Sequence, residues 1–335
     1  MAEEKFSEIG RVEAIERLFE NTGYSPWAGN DPEADQKGDV IHTASRLLIE
    51  GIDFDLVYFP LKHLGYKSVI SVTGELYAAM ARPHALSISL GLSAKLDFSQ
   101  VKEFWSGAVT AAKEHGVKKL SLDMTPSPNG LSIAVSMTGL TSCITAKRRM
   151  EAKSMDLICI SDNLGAAFMG MQVLEQEKRR FSSTKDDSMQ PDLEQYRHLV
   201  GAYLKPELNP SIVSQLEEAG IIPSYGYFVT RGLSDAVKRL VRDSGLGAKI
   251  YVDKIPFPGK MFDLGKQFNI DPVSAALNGG DDYRLLFTVP IGKHDKFRRD
   301  FQVFDIIGHL AKPDVGAVIV TPDGVEFPMK AQGWQ

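Results

Sequence analysis

The chain has 335 residues, of which 43% are hydrophobic and 24% are charged, so it is long enough to form two domains that each bury a core. Its formal net charge of −5 gives no electrostatic reason to expect a nucleic acid or a membrane surface as a partner. Cys143 and Cys159 are its only cysteines and lie in apolar, strand-like contexts, which argues against a disulfide framework or a thiolate metal site.

The apolar segments of the chain are all short. None approaches the length of a membrane span, and the N-terminal sequence MAEEKFSEIG is acidic and lacks an apolar run. We therefore expect a cytoplasmic protein.

The first part of the chain predicts a mixed α and β domain. Apolar residues recur at helical spacing over Phe6–Asn21, and a loop rich in glycine and acids follows. A second helix is predicted from Pro60 to Met80, and a third begins at Ser99 as its N-cap. The predicted strands are Asp39–Thr43, Leu47–Asp55 with a glycine kink at Gly51, His84–Leu92, Val117–Leu122 and Leu131–Gly139. Asp123 then stands at the carboxyl end of a strand.

The second part repeats a strand, turn and helix pattern. The basic residues Lys147–Arg149 mark the predicted boundary between a domain of residues 1–146 and one of residues 147–335. Leu157–Ile160 is a predicted strand, and the turn after it leads into a helix over Ala166–Glu177, whose N-terminus could bind an anion. Phe228–Ser234 shows the same order, and the polar stretch Ser182–Asp192 is predicted to be a mobile loop or lid.

The stretch NGGDDYRLLFTVP, over residues 278–290, places two acids between a turn and a strand. Asn278, Gly279 and Gly280 can adopt the positive φ angles of a tight turn, and Tyr283–Val289 is predicted to be a buried strand. Asp281 and Asp282 either only stabilise this turn through bonds to backbone groups or belong to a binding site.

A set of short motifs spread over nearly the whole chain resembles bacterial thiamine-monophosphate kinase. The motifs are Glu50-Gly51, Leu64–Lys67, Arg82-Pro83, Asp123 with Thr125, Leu204–Pro206, and Gly279–Tyr283 followed by LLFTVP. That family belongs to a superfamily with aminoimidazole ribonucleotide synthetase and selenophosphate synthetase. The resemblance implies an α/β (α+β) chain with the two-domain aminoimidazole ribonucleotide synthetase-like fold. It further implies a homodimer formed through the sheet of the N-terminal domain.

The resemblance also implies a kinase reaction. The γ-phosphoryl group of ATP would pass to the phosphate of thiamine phosphate, with thiamine diphosphate and ADP as products. Two polyanions must meet in this reaction, so Mg²⁺ ions bound by carboxylates from separate turns would offset their repulsion. Residues 1–146 would bind ATP and metal, and residues 147–335 would form the second α/β domain.

Matched positions assign residues to the metal and to the two substrates. Asp31 and Asp123 fall on metal positions and would take part in catalysis, while Glu75 replaces an aspartate that binds metal from a helix. The nucleotide side is implied to include Ser45, Trp105, Arg149 and Thr230. The thiamine-phosphate side is implied to include Asp53, Asp281 and Trp334. Trp105 also lies on the apolar stripe of its predicted helix, so packing in the core is an equal alternative.

Two positions carry an arginine where the family has a metal-binding aspartate. Ala44-Ser45-Arg46 replaces Thr-Thr-Asp, and Phe228–Leu233, which contains Arg231, replaces Asp-Ile-Ser-Asp-Gly-Leu. Each exchange changes the local charge by about two units, so we expect a weakened magnesium site.

Two explanations of the arginines are open. The chain could be an inactive or weak paralogue that still binds nucleotide or a phosphorylated ligand, with both arginines paired to Asp31, Glu75 or Asp123. Alternatively, Arg46 and Arg231 contact phosphate oxygens in place of metal, and Arg231 acts in catalysis.

Overall fold

A computed structural model describes residues 17–23, 39–183 and 193–331. The predicted site residues Asp31 and Trp334, most of the first predicted helix and most of the predicted loop at 182–192 lie outside these ranges. The described residues form two compact units. Unit 1 contains the residues up to Leu76 and those from Ala81 to Ala146, and unit 2 contains Tyr77–Met80 and the residues from Lys147 onward.

Unit 1 is built on a four-stranded sheet with strand order β1-β4-β2-β3. Its elements are β1 (Val40–Ile49), α1 (Leu61–Ala78), β2 (Arg82–Leu92), α2 (Phe98–Glu114), β3 (Lys119–Pro126), β4 (Ser132–Thr141) and α3 (Cys143–Arg148). Strand β4 is antiparallel to β1 and to β2, and β3 is parallel to β2. Between the parallel strands the chain crosses over through α2, as a parallel pair requires.

The two faces of this sheet differ in chemistry. Leu120, Leu122 and Met124 of β3 are buried and alternate with more exposed polar residues, as expected for a strand with one face on a core. The buried face carries α1, since the Thr73 hydroxyl of α1 lies 3.9 Å from the sulfur of Met137 on β4. We call this the helix face, and the opposite side the outer face.

Helices α1 and α2 cross at two glycines. A Cβ on Gly65 would lie 1.8 Å from the carbonyl oxygen of Phe104, and one on Gly107 would lie 1.8 Å from that of Lys62. Because each glycine meets the backbone of the other helix, neither position has room for a methyl group.

Unit 2 is built on a seven-stranded sheet with strand order β11-β10-β7-β9-β5-β8-β6. Its strands are β5 (Leu157–Ser161), β6 (Gly226–Val229), β7 (Gly247–Tyr251), β8 (Arg284–Val289), β9 (Phe304–Ala311), β10 (Ala317–Val320) and β11 (Glu326–Pro328). Its helices are α4 (Ala166–Ser183), α5 (Arg197–Leu204), α6 (Ile212–Glu218), α7 (Leu233–Ser244), α8 (Met261–Phe268), α9 (Pro272–Asn278) and α10 (His294–Asp300). All neighbouring strands are antiparallel except β10 and β7.

The core of unit 2 lies where α7 packs on the sheet, with Leu233, Val237 and Leu240 fully buried. Every residue of β8 is buried, which confirms the predicted buried strand after Tyr283. Among the described residues, no helix has both the length and the apolar character that crossing a membrane requires.

Three sequence predictions of local structure in unit 1 were wrong in detail. Asp97, and not Ser99, is the N-cap of α2, because its carboxylate accepts from the Gln100 N–H at 2.8 Å and Gln100 accepts from the Asp97 N–H at 2.9 Å. Asp123 lies inside β3, since the strand continues to Pro126. The kinked strand predicted over Leu47–Asp55 ends at Ile49 and is continuous with the strand predicted over Asp39–Thr43, and a turn follows at Gly51, where φ is 81°.

We expect Gly107→Ala to lower the free energy of unfolding by about 2–3 kcal/mol, because the added methyl group forces α1 and α2 apart. Gly201→Ala on α5 is the matched control, because its Cβ would meet nothing within 4 Å and alanine favours a helix. Urea unfolding followed by circular dichroism measures both variants. Equal stability of the two would show that the helix crossing tolerates the methyl group.

Candidate functional site

Three turns of unit 2 meet in space. The first turn, 162–165, joins β5 to α4; the second, 230–232, joins β6 to α7; the third, 279–283, precedes β8. We call this group the three-turn junction. Neighbouring positions of β5, β8 and β6 in one sheet bring these turns together.

The centre of the junction is a buried carboxylate. Asp282 is 2% exposed, and both of its oxygens accept from the Gly165 N–H at 2.9 Å, while Oδ1 also lies 3.4 Å from the Ala167 N–H. These N–H groups belong to the start of α4, where the helix dipole favours a negative charge. Asp282 therefore caps a helix that lies more than one hundred residues earlier in the chain.

Burial changes the acidity of this group. Loss of hydration raises the pKa of Asp282 from 3.8 to about 7, although the Gly165 N–H and the Arg284 guanidinium act in the opposite direction. The α4 N-terminus was predicted as a possible anion site, and the anion found there is the protein's own carboxylate.

A second set of bonds joins the end of β5 and the first turn to the start of β8. Arg284, only 8% exposed, places Nη2 3.0 Å from Asp162 and donates from Nε to the Asn163 carbonyl at 3.1 Å. The Ser161 hydroxyl accepts from the Leu285 N–H at 2.8 Å. Three bonds thus join the 161–163 segment to the start of β8.

Backbone bonds join the third turn to the second. The N–H groups of Asp281 and Tyr283 donate to the carbonyls of Thr230 and Val229, each at 2.9 Å. At Gly232, φ is 89° and a Cβ would lie 2.3 Å from the Leu277 carbonyl oxygen, so this position requires glycine. Arg231 is exposed at the surface of the junction.

The junction is strained. Asp162, Asp281 and Tyr283 have positive φ angles of 54°, 59° and 53°, a conformation that costs non-glycine residues roughly 1–2 kcal/mol each. The turn at Asn278–Gly280 was predicted to hold the positive φ angles, yet only Gly280 of these three has one. Strain of this kind persists only where surrounding bonds over-determine the conformation, and it concentrates at functional sites.

The outer face of the unit 1 sheet carries Ser45 and Asp123. Ser45, Ser136, Ser87 and Ser121 are consecutive partners across the four strands, and they line a groove of about 390 Å³. Asp123 is two residues beyond Ser121 and faces the same way, because Leu122 and Met124 point to the helix face.

The predicted metal ligands Glu75 and Asp123 lie on opposite sides of the unit 1 sheet. Glu75 belongs to α1, which packs on the helix face, whereas the Asp123 side chain projects from the outer face. Within the described ranges, no group of three histidine, cysteine, aspartate or glutamate side chains could bind a metal ion. Asp31, the third predicted metal ligand, is not among the described residues.

Arg46 forms an ion pair that the sequence did not predict. Its register partner is the buried Val135, so it points to the helix face. Its guanidinium lies 3.8 Å from Asp53, whose other oxygen accepts from the Ile49 N–H at 2.9 Å. Arg46, predicted at a metal position, thus pairs with Asp53, predicted on the substrate side.

Two predicted nucleotide-side residues lie in separate units. Trp105 is 2% exposed, and its ring centroid lies 5.0 Å from that of Phe19, so in this conformation it packs in the core of unit 1. Arg149 donates to the Ala79 carbonyl at 2.8 Å in unit 2. Thr230 is buried beside Arg231 in the junction.

Asp162, Asp282 and Arg284 were not among the predicted site residues. A sequence signal existed for two of them, because Asp282 follows Asp281 in the opening motif and Asp162 follows a predicted strand. Nothing in the sequence indicated that Arg284 pairs with Asp162, since 121 residues separate Arg284 from its other partner, Asn163.

Comparisons with known proteins find a family model that matches part of the chain and relatives that align over most of it. Residues 34–141 match the family described as AIR synthase related protein, N-terminal domain. Over these residues the chain is similar to AIR synthase-related proteins. Two relatives are thiamine-monophosphate kinases. That of Buchnera aphidicola subsp. Schizaphis graminum is 28% identical over 76% of this chain and 72% of its own, and that of Aquifex aeolicus is 23% identical over 88% and 89%.

Solved structures show the same fold. Thiamine-monophosphate kinase from Stenotrophomonas maltophilia superposes with a TM-score of 0.71 at 23% identity, covering 85% of this chain and 86% of that one. A structure described as AaThiL complexed with AMPPCP and TMP gives 0.68 at 22% identity, with coverage of 86% and 85%. The hydrogenase maturation protein HypE of E. coli gives 0.70 at 14% identity, with 97% of each chain covered.

We expect the stability of this protein to depend on pH through Asp282. Because the pKa of this group is raised to about 7 in the folded state, the stability it contributes is complete below about pH 4. That contribution is lost as the pH rises to about 7, by up to about 1.4 kcal/mol per pH unit. Asp282→Asn should remove this slope in urea unfolding measured between pH 4.5 and 8.

The matched control is Asp97→Asn, which alters another helix-capping carboxylate. The pKa of Asp97 is lowered by its bond from the Gln100 N–H, so its stability contribution is lost only in more acidic solution. An unchanged slope in Asp282→Asn would mean that Asp282 does not titrate in this range.

Proposed function

We propose that this protein binds ATP and thiamine phosphate and transfers the γ-phosphoryl group to give thiamine diphosphate, at a rate limited by a weakened magnesium site. Kinase relatives that align over most of the chain carry this proposal. A solved structure of the same fold contains AMPPCP and TMP. We further propose that residues 1–146 bind ATP and metal, that residues 147–335 form a second α/β domain, and that the protein works in the cytoplasm.

We also propose that the working form is a homodimer built on the outer face of the unit 1 sheet. Strand β1 is at the edge of that sheet and exposes Ile41 and Leu47, which are 53% and 55% exposed. Exposed apolar residues on an edge strand favour a contact with another chain.

The weakened metal site is supported by charge. Magnesium requires oxygen ligands in octahedral geometry, and Arg46 and Arg231 place cations where the family has carboxylates. Arg46 also forms an ion pair with the nearby Asp53 carboxylate. An arginine neutralises phosphate charge but cannot bridge two phosphates as a metal does.

The test is an assay with purified protein, ATP, Mg²⁺ and thiamine phosphate, with the Aquifex aeolicus kinase beside it. We expect thiamine diphosphate to form at least about 100-fold more slowly than with that enzyme, as expected when a major charge-stabilising group is lost. No product above background would reject the kinase proposal.

The double variant Arg46→Asp and Arg231→Asp should bind Mg²⁺ at least about tenfold more tightly in calorimetry, because two carboxylates are restored. Arg197→Asp with Arg299→Asp changes the net charge equally at exposed positions of unit 2 and should leave the affinity unchanged. An equal effect of both pairs would indicate a general charge effect and not a restored site.

A second candidate is a binding protein that retains the ligands but not the reaction. The Arg46–Asp53 ion pair favours it, because this bond ties the introduced cation to a side chain of the chain itself. In that case Arg46 does not compensate for the missing metal ligand.

The binding candidate predicts stabilisation by ligand without turnover. Thiamine phosphate at 100 times its dissociation constant should stabilise the folded state by about 2.7 kcal/mol, which differential scanning fluorimetry detects as a rise in Tm. Asp281→Ala should abolish the rise, whereas Asp295→Ala, at a fully exposed side chain on α10, should not. Turnover in the assay above would exclude this candidate, and no rise in Tm would contradict it.

A further inference from the structure

Two side chains at the three-turn junction, Asp282 and Arg284, are buried and do not reach its surface. Asp282 and Arg284 are 2% and 8% exposed, so they lie beneath the surface that Asp281 and Arg231 reach. Their bonds run to the backbone at Gly165 and Asn163 and to the Asp162 carboxylate.

The bonds of Asp282 depend on its having two equivalent oxygens. Both oxygens lie 2.9 Å from the Gly165 nitrogen, so an amide in this place would direct an NH₂ group at a backbone N–H or accept with one oxygen only. Removal of a charged acceptor also leaves the first turn of α4 without the anion that its dipole favours.

The bonds of Arg284 depend on its fork of donors. Nη2 contacts Asp162 at 3.0 Å while Nε donates to the Asn163 carbonyl at 3.1 Å. A lysine carries the same charge but has a single ammonium group and cannot reproduce both contacts at the same geometry. The positive φ of Asp162, 54°, then loses the bond that offsets its strain.

Backbone hydrogen bonds connect the buried pair Asp282 and Arg284 to the surface of the junction. Asp282 lies between Asp281 and Tyr283, whose N–H groups donate to the carbonyls of Thr230 and Val229. The carbonyl of Thr230 immediately precedes Arg231, and α7 begins after Gly232. The position of the 282–284 segment therefore fixes both Asp281 and Arg231.

We propose that Asp282 and Arg284 are positioning residues that clamp the three turns and so set the geometry of Asp281 and Arg231 for a phosphorylated ligand. The part of this inference that concerns the ligand rests on the proposed function. The clamp itself is a property of unit 2 and is measurable without any ligand.

The first experiment is hydrogen exchange followed by mass spectrometry on the full chain at pH 8, with wild type, Asp282→Asn, Arg284→Lys and the control Asp97→Asn. Peptides covering 161–168 and 229–235 should exchange about tenfold faster in the two junction variants. Peptides covering β7 and β10 should keep their wild-type rates. Asp97→Asn should affect only the start of α2.

The second experiment is calorimetric titration of the same proteins with thiamine phosphate, well below their unfolding temperatures. We expect the dissociation constant to rise at least about tenfold in both junction variants and to stay unchanged in Asp97→Asn. A purely structural role would lower stability without changing the affinity of the folded protein.

Faster exchange confined to the two junction peptides, together with weaker binding, supports the proposal. Uniformly faster exchange in every peptide, or local loosening with an unchanged dissociation constant, overturns it. If Asp282→Asn does not fold, the exchange rates and the dissociation constant of Arg284→Lys test the proposal by the same criteria. If wild type binds no thiamine phosphate, the proposed function fails, and the exchange pattern alone decides whether the clamp exists.

Discussion

The buried carboxylate of Asp282 is the interaction on which the organisation of the junction depends. A carboxylate inside a protein is costly unless several donors surround it, and here the donors are the N–H groups at the start of α4 with Arg284 nearby. Because donor and acceptor come from distant parts of the chain, this bond forms only when α4 and β8 have taken their places. The charge thus connects the register of the sheet with the conformation of the turns.

The bonds around Asp282 also explain why three residues with positive φ angles lie close together. Asp162, Asp281 and Tyr283 hold positive φ angles within a few residues of Asp282, and each takes part in a bond to another turn or lies beside one. Strain at three positions can persist because the bonds around Asp282 and Arg284 over-determine the backbone. A rigid backbone keeps the side chains of a binding surface at a fixed spacing, which favours binding of a ligand.

The two arginines predicted at metal positions have different surroundings. Arg46 lies on the helix face and contacts Asp53, so its charge is directed at the protein. Arg231 lies exposed at the start of α7, where the helix dipole also favours anions. An exposed cation at such a position is compatible with a phosphorylated ligand. This is why the kinase proposal and the binding alternative differ in turnover and not in the ligand.

The sequence alone determined the elements whose signal is local. Alternating apolar residues predicted β2, β3 and β4, and the apolar run after Tyr283 predicted the buried strand β8, because side-chain periodicity depends only on neighbouring residues. The motifs spread along the chain also sufficed to indicate the similarity to thiamine-monophosphate kinases that the comparisons found. Only the tertiary structure placed Asp123 on the opposite face of the sheet from α1, paired Arg46 with Asp53 and put Asp282 at the start of α4. Each of these is a contact between residues distant in sequence or a choice of face, and no local pattern encodes the partner of a buried charge.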